Sequence, residues 1–406
     1  MNSFSKNVAI FTEDFDKSAN SAGKLMVDLV IELANNSSGN INVFTLDIKD
    51  SMLNFSEKYP DNINIYRMTV SDKSNFGLIR RALFEILLSP KMFLFILRKR
   101  KLFSFSNILW YSPTIFWSPL ILLLSVFNKT HKFLILRDIF PDWAVNLEII
   151  KKPSLKYYFF RCIELLQYHI ADVIAIQTNG DAEHFKHNKF FLKKLTILKN
   201  WYHPSYPDSS QFHNIEQLKD FTAKDKKLCV YPGNLGVANN QKMLIDVIKN
   251  LKNNIDLHFL LIGLKKRDMQ LIEEEIKTHD LKNLTLLGTM SQNKIDIVLA
   301  NAHIGIFSLD SRHKSHNIPG KFLHFISVGL PVFGFCNSGN DIIKLIEDNS
   351  LGKTYSGINY LEATKKLLMT SELIDNNFYS SKNIQNYVLS ELSPKKASLS
   401  ILKTFP

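Results

Sequence analysis

Asn317, Pro319, Gly320 and Lys321 open the stretch NIPGKFLHFISVGLPVFG, and in that order they suit the capture of an anion. The spacing predicts one amphipathic helix, stopped at Gly329 and followed by a short apolar strand. Asn317 can cap that helix, and Pro319 suits a first turn whose backbone N–H groups lack partners. Those amides, the positive end of the helix dipole and the Lys321 cation one turn in would together take a phosphate or diphosphate. The same residues also suit an ordinary capped helix.

Three glycine loops extend the pattern. In YPGNLGVANN, Gly233 and Gly236 let the backbone turn tightly and approach a ligand, Asn234 is a hydrogen-bonding candidate, and Lys242 adds a charge on the following helix. The run is not the dinucleotide fingerprint, which needs a third glycine. FLLIGLKKR ends a strand on Gly263, where a base could stack, and LLGTMS offers Gly288 and Thr289 to a base edge. Each has a plain loop reading. Together they would put the parts of a nucleotide site on one rim of one sheet. In the first half, Glu13 and Asp14 lead a loop to Gly23, while Arg137, Asp138 and Asp142 cluster in ILRDIFPDWAV with Trp143 beside them.

The elements that must hold these residues alternate between short apolar strands and helical patterns, which means parallel sheets wound with helices on both faces. The 406 residues divide into a domain over 1–200, a Pro/Ser/Asp-rich linker over 201–227, a second domain over 228–380 and a helical tail over 381–406 that can pack back on the first domain. In such sheets ligands bind beyond the strand C-termini, so the expectation is a site in a cleft between two facing domains.

A formal charge of +12 favours an anionic partner, and no nucleic-acid motif accompanies it. The three cysteines are far apart in apolar runs and read as reduced core residues. The N-terminus lacks the apolar run of a signal peptide. Residues 108–127 are twenty uncharged positions, but Pro113 and Pro119 divide them into a strand, a turn and a buried helix. The segment PKMFLFILRKRKLFSF mixes apolar residues with cations, as a surface helix on anionic membrane does.

The second half, from VYPGNLG through FLLIG and LTLLG to NIPGKFLHFISVGLPVFG, resembles the nucleotide-sugar domain of family-4 retaining glycosyltransferases. ILRDIFPDWAV, the Gly23 loop and ADVIAIQTNG extend the likeness over nearly the whole chain, toward the bacterial O-antigen and capsule subgroup that includes the L-fucosamine transferases. The resemblance implies a GT-B fold of two doubly wound Rossmann-like domains, with the donor nucleotide in the C-terminal one. It implies no metal, because the helix N-terminus and basic side chains neutralise the departing nucleoside diphosphate. It further implies catalytic roles for Asp138, Glu13 and Arg137, and an acceptor side around Gly23, Asp142 and Trp143. The family's E-x(7)-E pair falls on His316 and His324, and Phe140 replaces a tryptophan. The implied reaction moves a hexosamine-type sugar from a UDP-linked donor to a polyprenyl-diphosphate-linked saccharide, by an enzyme peripheral to the cytoplasmic face of the membrane. An epimerase of the same fold, or a non-catalytic scaffold of a polysaccharide assembly complex, stays open.

Overall fold

Continuous apolar strands such as VAIF and NILWYS have no wet face, so their sheet must be covered on both sides. The computed structural model, which describes residues 6–15, 21–48, 59–71, 78–99, 105–127, 129–218, 226–235, 239–310, 312, 316 and 318–406, places them in such a sheet. The chain forms two compact units, residues 1–201 with 394–406, and residues 202–393.

The first unit runs β1 (Val8–Phe11), α1 (Ser21–Asn35), β2 (Ile41–Ile48), β3 (Ile63–Val70), α2 (Leu78–Leu97), β4 (Asn107–Ser112), α3 (Ser118–Phe127), β5 (His131–Leu136), α4 (Asp142–Asn146), α5 (Leu155–Ile170), β6 (Val173–Ile176), α6 (Lys189–Leu192) and β7 (Leu195–Ile197). All seven strands pair in parallel, in the order β3-β2-β1-β4-β5-β6-β7. Leu25, Met26, Leu29, Val30 and Leu33 recur at helical spacing on α1 and are all buried. The helix after β4 differs from expectation. Leu120, Ile121 and Leu124 of α3 are buried, but Leu122, Leu123, Val126 and Phe127 face outward. A ten-residue helix flanking a sheet has only one face to bury.

The second unit runs β8 (Lys227–Pro232), α7 (Gln241–Asn250), β9 (Leu257–Ile262), α8 (Lys266–His279), β10 (Leu284–Leu287), α9 (Gln292–Ala300), β11 (Ile304–Ser308), α10 (Gly320–Ser327), β12 (Val332–Phe335), α11 (Asp341–Asp348), β13 (Gly352–Tyr355), α12 (Tyr360–Asp375) and α13 (Ser381–Glu391). Its six strands are parallel, in the order β10-β9-β8-β11-β12-β13. The order reverses between β8 and β11, so the loops after these two strands flank a crevice at the carboxyl edge. Residues 202–218, read as linker, are folded onto this unit. Phe212, Ile215 and Leu218 are buried, Ser205 N–H donates to Ser327 O (2.8 Å), and Asn301 Nδ2 donates to Ser209 O (3.0 Å). The last helix, α14 (Pro394–Leu402), belongs to the first unit and packs on α1 with Ala397 and Ile401 buried.

Candidate active site

In the second unit the reversal point gathers the glycine loops. Gly233 follows β8 with φ +87° and Gly263 follows β9 with φ +76°, a left-handed backbone that favours glycine. Gly233 N–H donates to Ile262 O (2.7 Å) and Gly263 N–H to Leu287 O (3.0 Å), which binds the ends of β8, β9 and β10 side by side. A Cβ on Gly263 would lie 3.8 Å from Gly233 Cα, and one on Gly233 would lie 3.3 Å from Lys321 Cε. A Cβ on Gly288 would meet nothing within 4 Å, and Thr289 next to it is exposed, so this strand end is open.

Lys321 reaches these tips from α10. Its Nζ donates to Tyr231 Oη (2.6 Å), lies 3.4 Å from Asn234 O, and sits 3.9 Å from the centroid of the Tyr231 ring. Burial pulls its pKa from 10.5 to about 7. A desolvated ammonium with neutral neighbours is poised for an anion. The start of α10 adds backbone donors. The helix begins at Gly320 with extended Pro319 at the cap position and no side-chain cap. The expected cap by Asn317 is thus corrected: the cap position falls on Pro319, which has no side chain to accept, and Asn317 itself lies outside the described residues, as does Gly236. Asn234 presents an Oδ1 that is buried and has no partner among the described residues.

The other expected donor residues have surroundings of their own. Lys242 is exposed on α7 and lines a groove of about 1080 Å³ with Asn234, Lys265, Asp268, Asp310 and Arg312. His316 accepts from the Asp341 amide at the start of α11 (3.2 Å). His324, at the second position of the E-x(7)-E pair, is held by side chains of its own unit. Its Nε2 contacts Asp296 Oδ1 (2.6 Å), Gln292 Nε2 approaches both ring nitrogens, and Tyr202 lies over the ring at 5.9 Å. An Asp296 carboxylate therefore stands where only a histidine was read. Asp296 and Tyr231 are the residues missed, because nothing in their local spacing links them to α10.

In the first unit, the ends of β4 and β5 place Tyr111, Arg137 and Asp138 together, with Asp14 after β1 close enough to influence Tyr111. Arg137 is 8% exposed, donates from Nη1 to Leu198 O (2.9 Å) and lies 5.2 Å from the Trp201 ring. Its Nε and Nη2 have no partner among the described residues, and burial lowers its pKa to about 10. Burial raises Asp138 to about 6, against the pull of Arg137. Glu13 accepts through its backbone oxygen from Leu46 N–H and Thr45 Oγ1 (3.0 Å), and Gly23 is buried in the first turn of α1.

Asp142, expected on the acceptor side, sits in the first turn of α4 and is partly exposed. Pro141 holds the cap position of α4, and Asp142 Oδ2 meets His184 Nδ1 at 3.1 Å, because His184 bridges it to fully buried Glu164 (3.0 Å). Glu164 also takes Arg161 (2.5 Å) and Tyr168 Oη (2.9 Å). Burial alone would lower His184, but the hydrogen bonds it donates to the Asp142 and Glu164 carboxylates outweigh it and hold the pKa at about 9. The network pins the loop after β5 to α5. Trp143 is half-buried against Phe140 (5.8 Å).

The family described as "Glycosyl transferases group 1" matches residues 214–369. The probable glycosyltransferase WbjE of Pseudomonas aeruginosa is 22% identical over 228 residues, 54% of this chain and 54% of WbjE, so the match spans about half the length of that relative. Among solved structures, Anabaena Alr3699/HepE in complex with UDP and glucose superposes with a TM-score of 0.67 at 12% identity, covering 98% of this chain and 99% of that one. WaaG, a glycosyltransferase involved in lipopolysaccharide biosynthesis, gives 0.66 at 14% identity, covering 98% and 100%. The fold they share with this chain is GT-B.

Proposed function

We propose that this chain, whose residues 214–369 carry a group 1 glycosyltransferase domain, is a retaining glycosyltransferase with a UDP-sugar donor. The observation that carries the reading is the desolvated Lys321 ammonium at the tips of β8 and β9, beside the uncapped start of α10. The diphosphate would lie on the Gly320 and Lys321 amides and the Lys321 side chain, and the nucleoside would run toward Gly263 and Gly288. Charge developing on the leaving UDP is then met by groups already in place, which is where transition-state stabilisation is most effective. No metal is needed for that task.

Asp138 would bind or activate the acceptor hydroxyl or support the oxocarbenium-like centre, and Arg137 would meet a phosphate with its two unpartnered donors. The reading includes a hexosamine-type sugar, a polyprenyl-diphosphate-linked saccharide acceptor in O-antigen or capsule synthesis, and work at the cytoplasmic membrane face. The likeness to WaaG, a glycosyltransferase involved in lipopolysaccharide biosynthesis, supports the polysaccharide part of this reading.

Purified protein is incubated with radiolabelled UDP-sugars and membrane lipid extract, with and without EDTA. Transfer to lipid, unaffected by EDTA and reduced about 10²-fold or more in Asp138→Asn, is expected. The acid limb of the rate should fall near pH 6, where Asp138 gains its proton. An isomerised sugar formed without acceptor would mean an epimerase. UDP binding with no turnover of any sugar would mean a scaffold. Either result would sink the transferase.

A further inference from the structure

Three adjacent helices of the first unit turn apolar residues outward. On α2 the buried positions are Leu88, Met92 and Ile96, four residues apart, while Leu83, Leu87, Leu94 and Leu97 face away from the core. On α3 the outward residues include Val126 and Phe127, and on α5 they are Leu155, Tyr158 and Phe159. Of the 25 exposed large hydrophobics among the described residues, twelve lie on these three helices, so the exposure is clustered rather than scattered.

The helices touch one another. Phe93 of α2 stacks on Phe127 of α3 (6.4 Å), Leu120 N–H on α3 donates to Ser89 Oγ on α2 (3.2 Å), and Ser118 Oγ on α3 reaches Ile163 O on α5 (3.4 Å). The outward residues are therefore parts of one surface. The exposed charges of the three helices themselves are of one sign. Lys91 and Lys156 point out among the apolar residues, Arg98 and Lys99 follow α2, and Glu148, Lys151 and Lys152 precede α5. Among the described residues of the three helices, no exposed position carries a carboxylate.

An apolar patch with cations and no carboxylates among its outward residues has the chemistry of a surface seated in the headgroup region of an anionic bilayer. A protein partner would need its own acidic rim to match, whereas anionic lipid supplies apolar and negative groups together. None of these helices spans. Among the described residues no helix is long and apolar enough to cross a membrane, and α3 has ten residues where a span takes about twenty.

We infer that the outward faces of α2, α3 and α5 form one docking surface for anionic lipid, with Leu94, Val126 and Leu155 entering the bilayer boundary. This deepens, and rests on, the reading of a membrane-borne acceptor. It also extends the contact suggested by sequence for the segment 90–105, where Met92 and Ile96 are core residues, to a broader face.

The test is flotation of the full chain with vesicles of phosphatidylethanolamine and phosphatidylglycerol, against phosphatidylcholine alone. Wild type should float with the anionic vesicles, and less so as salt rises. L94S/V126S/L155S removes side chains that are 56%, 73% and 87% exposed and should lower the partition roughly tenfold or more. I358S, 86% exposed in the second unit, should leave it unchanged. Circular dichroism and UDP binding report folding, and if the triple variant misfolds, K91E/K156E should lose anionic vesicles instead. Wild type that stays with the soluble fraction, or a folded triple variant that floats equally well, would overturn the inference. So would light scattering showing that the triple change only splits a dimer. Vesicle binding without sugar transfer would sink the transferase reading alone, and transfer without vesicle binding would sink this one alone.

Discussion

Lys321 is the residue on which the site turns, and its protonation makes a test. In the empty protein burial holds its pKa at about 7, and a bound diphosphate would favour the charged form. Above neutrality, binding must therefore take up a proton, so the Kd for UDP should rise with pH by up to about tenfold per unit between pH 8 and 10. Calorimetry in buffers of different ionisation enthalpy would register that proton. Lys321→Met should bind UDP about tenfold more weakly or worse and lose most of the pH slope. A slope unchanged in the variant would remove Lys321 from the site. The same depressed pKa means the unfolded chain binds more protons between about pH 7 and 10.5, so this residue's share of stability rises with pH in that window.

At the scale of elements, the position of α10 depends on a glycine in the strand beneath it. A Cβ on Gly305 of β11 would overlap the Phe325 ring of α10, and neighbouring Gly334 of β12 likewise leaves room for the Phe307 ring. Gly305→Ala should then cost about 1–3 kcal/mol as an overpacked core. It should also lower the melting temperature by several degrees and weaken UDP binding, because the helix that carries Lys321 must lift. Thermal unfolding with and without UDP would show both effects. Full UDP affinity at an unchanged melting temperature would mean that α10 does not rest on this contact.

At the scale of the molecule, the last segment of the chain completes the first unit. Ala397, Ile401 and Phe405 are buried, with Phe405 against His131 and Phe133 at 5.9 and 6.2 Å, and α14 lies on α1. Ending the chain at Ser393 should destabilise that unit by several kcal/mol, since each large apolar side chain contributes about 1.5–3 kcal/mol. UDP binding by the second unit should persist. Scanning calorimetry would separate the two, and an unchanged transition in the shortened protein would show that α14 is dispensable.

What the sequence determined by itself is what depends on near neighbours in the chain. Short apolar runs alternating with helical-period patterns located the strands from β1 to β12, and strand-end glycines marked turns that only a left-handed backbone makes, as at Gly233 and Gly263. The strand β13, GKTY, escaped because it has no apolar run and owes its place to pairing with β12. What only the tertiary structure decided is which distant residues meet. Lys321 finds Tyr231 90 positions away, His324 is claimed by Asp296, and Asp142 by His184. Such pairs are fixed by sheet order and crossover, and an apolar residue on a helix reads the same whether its face turns toward the core or, as on α3, toward the surroundings.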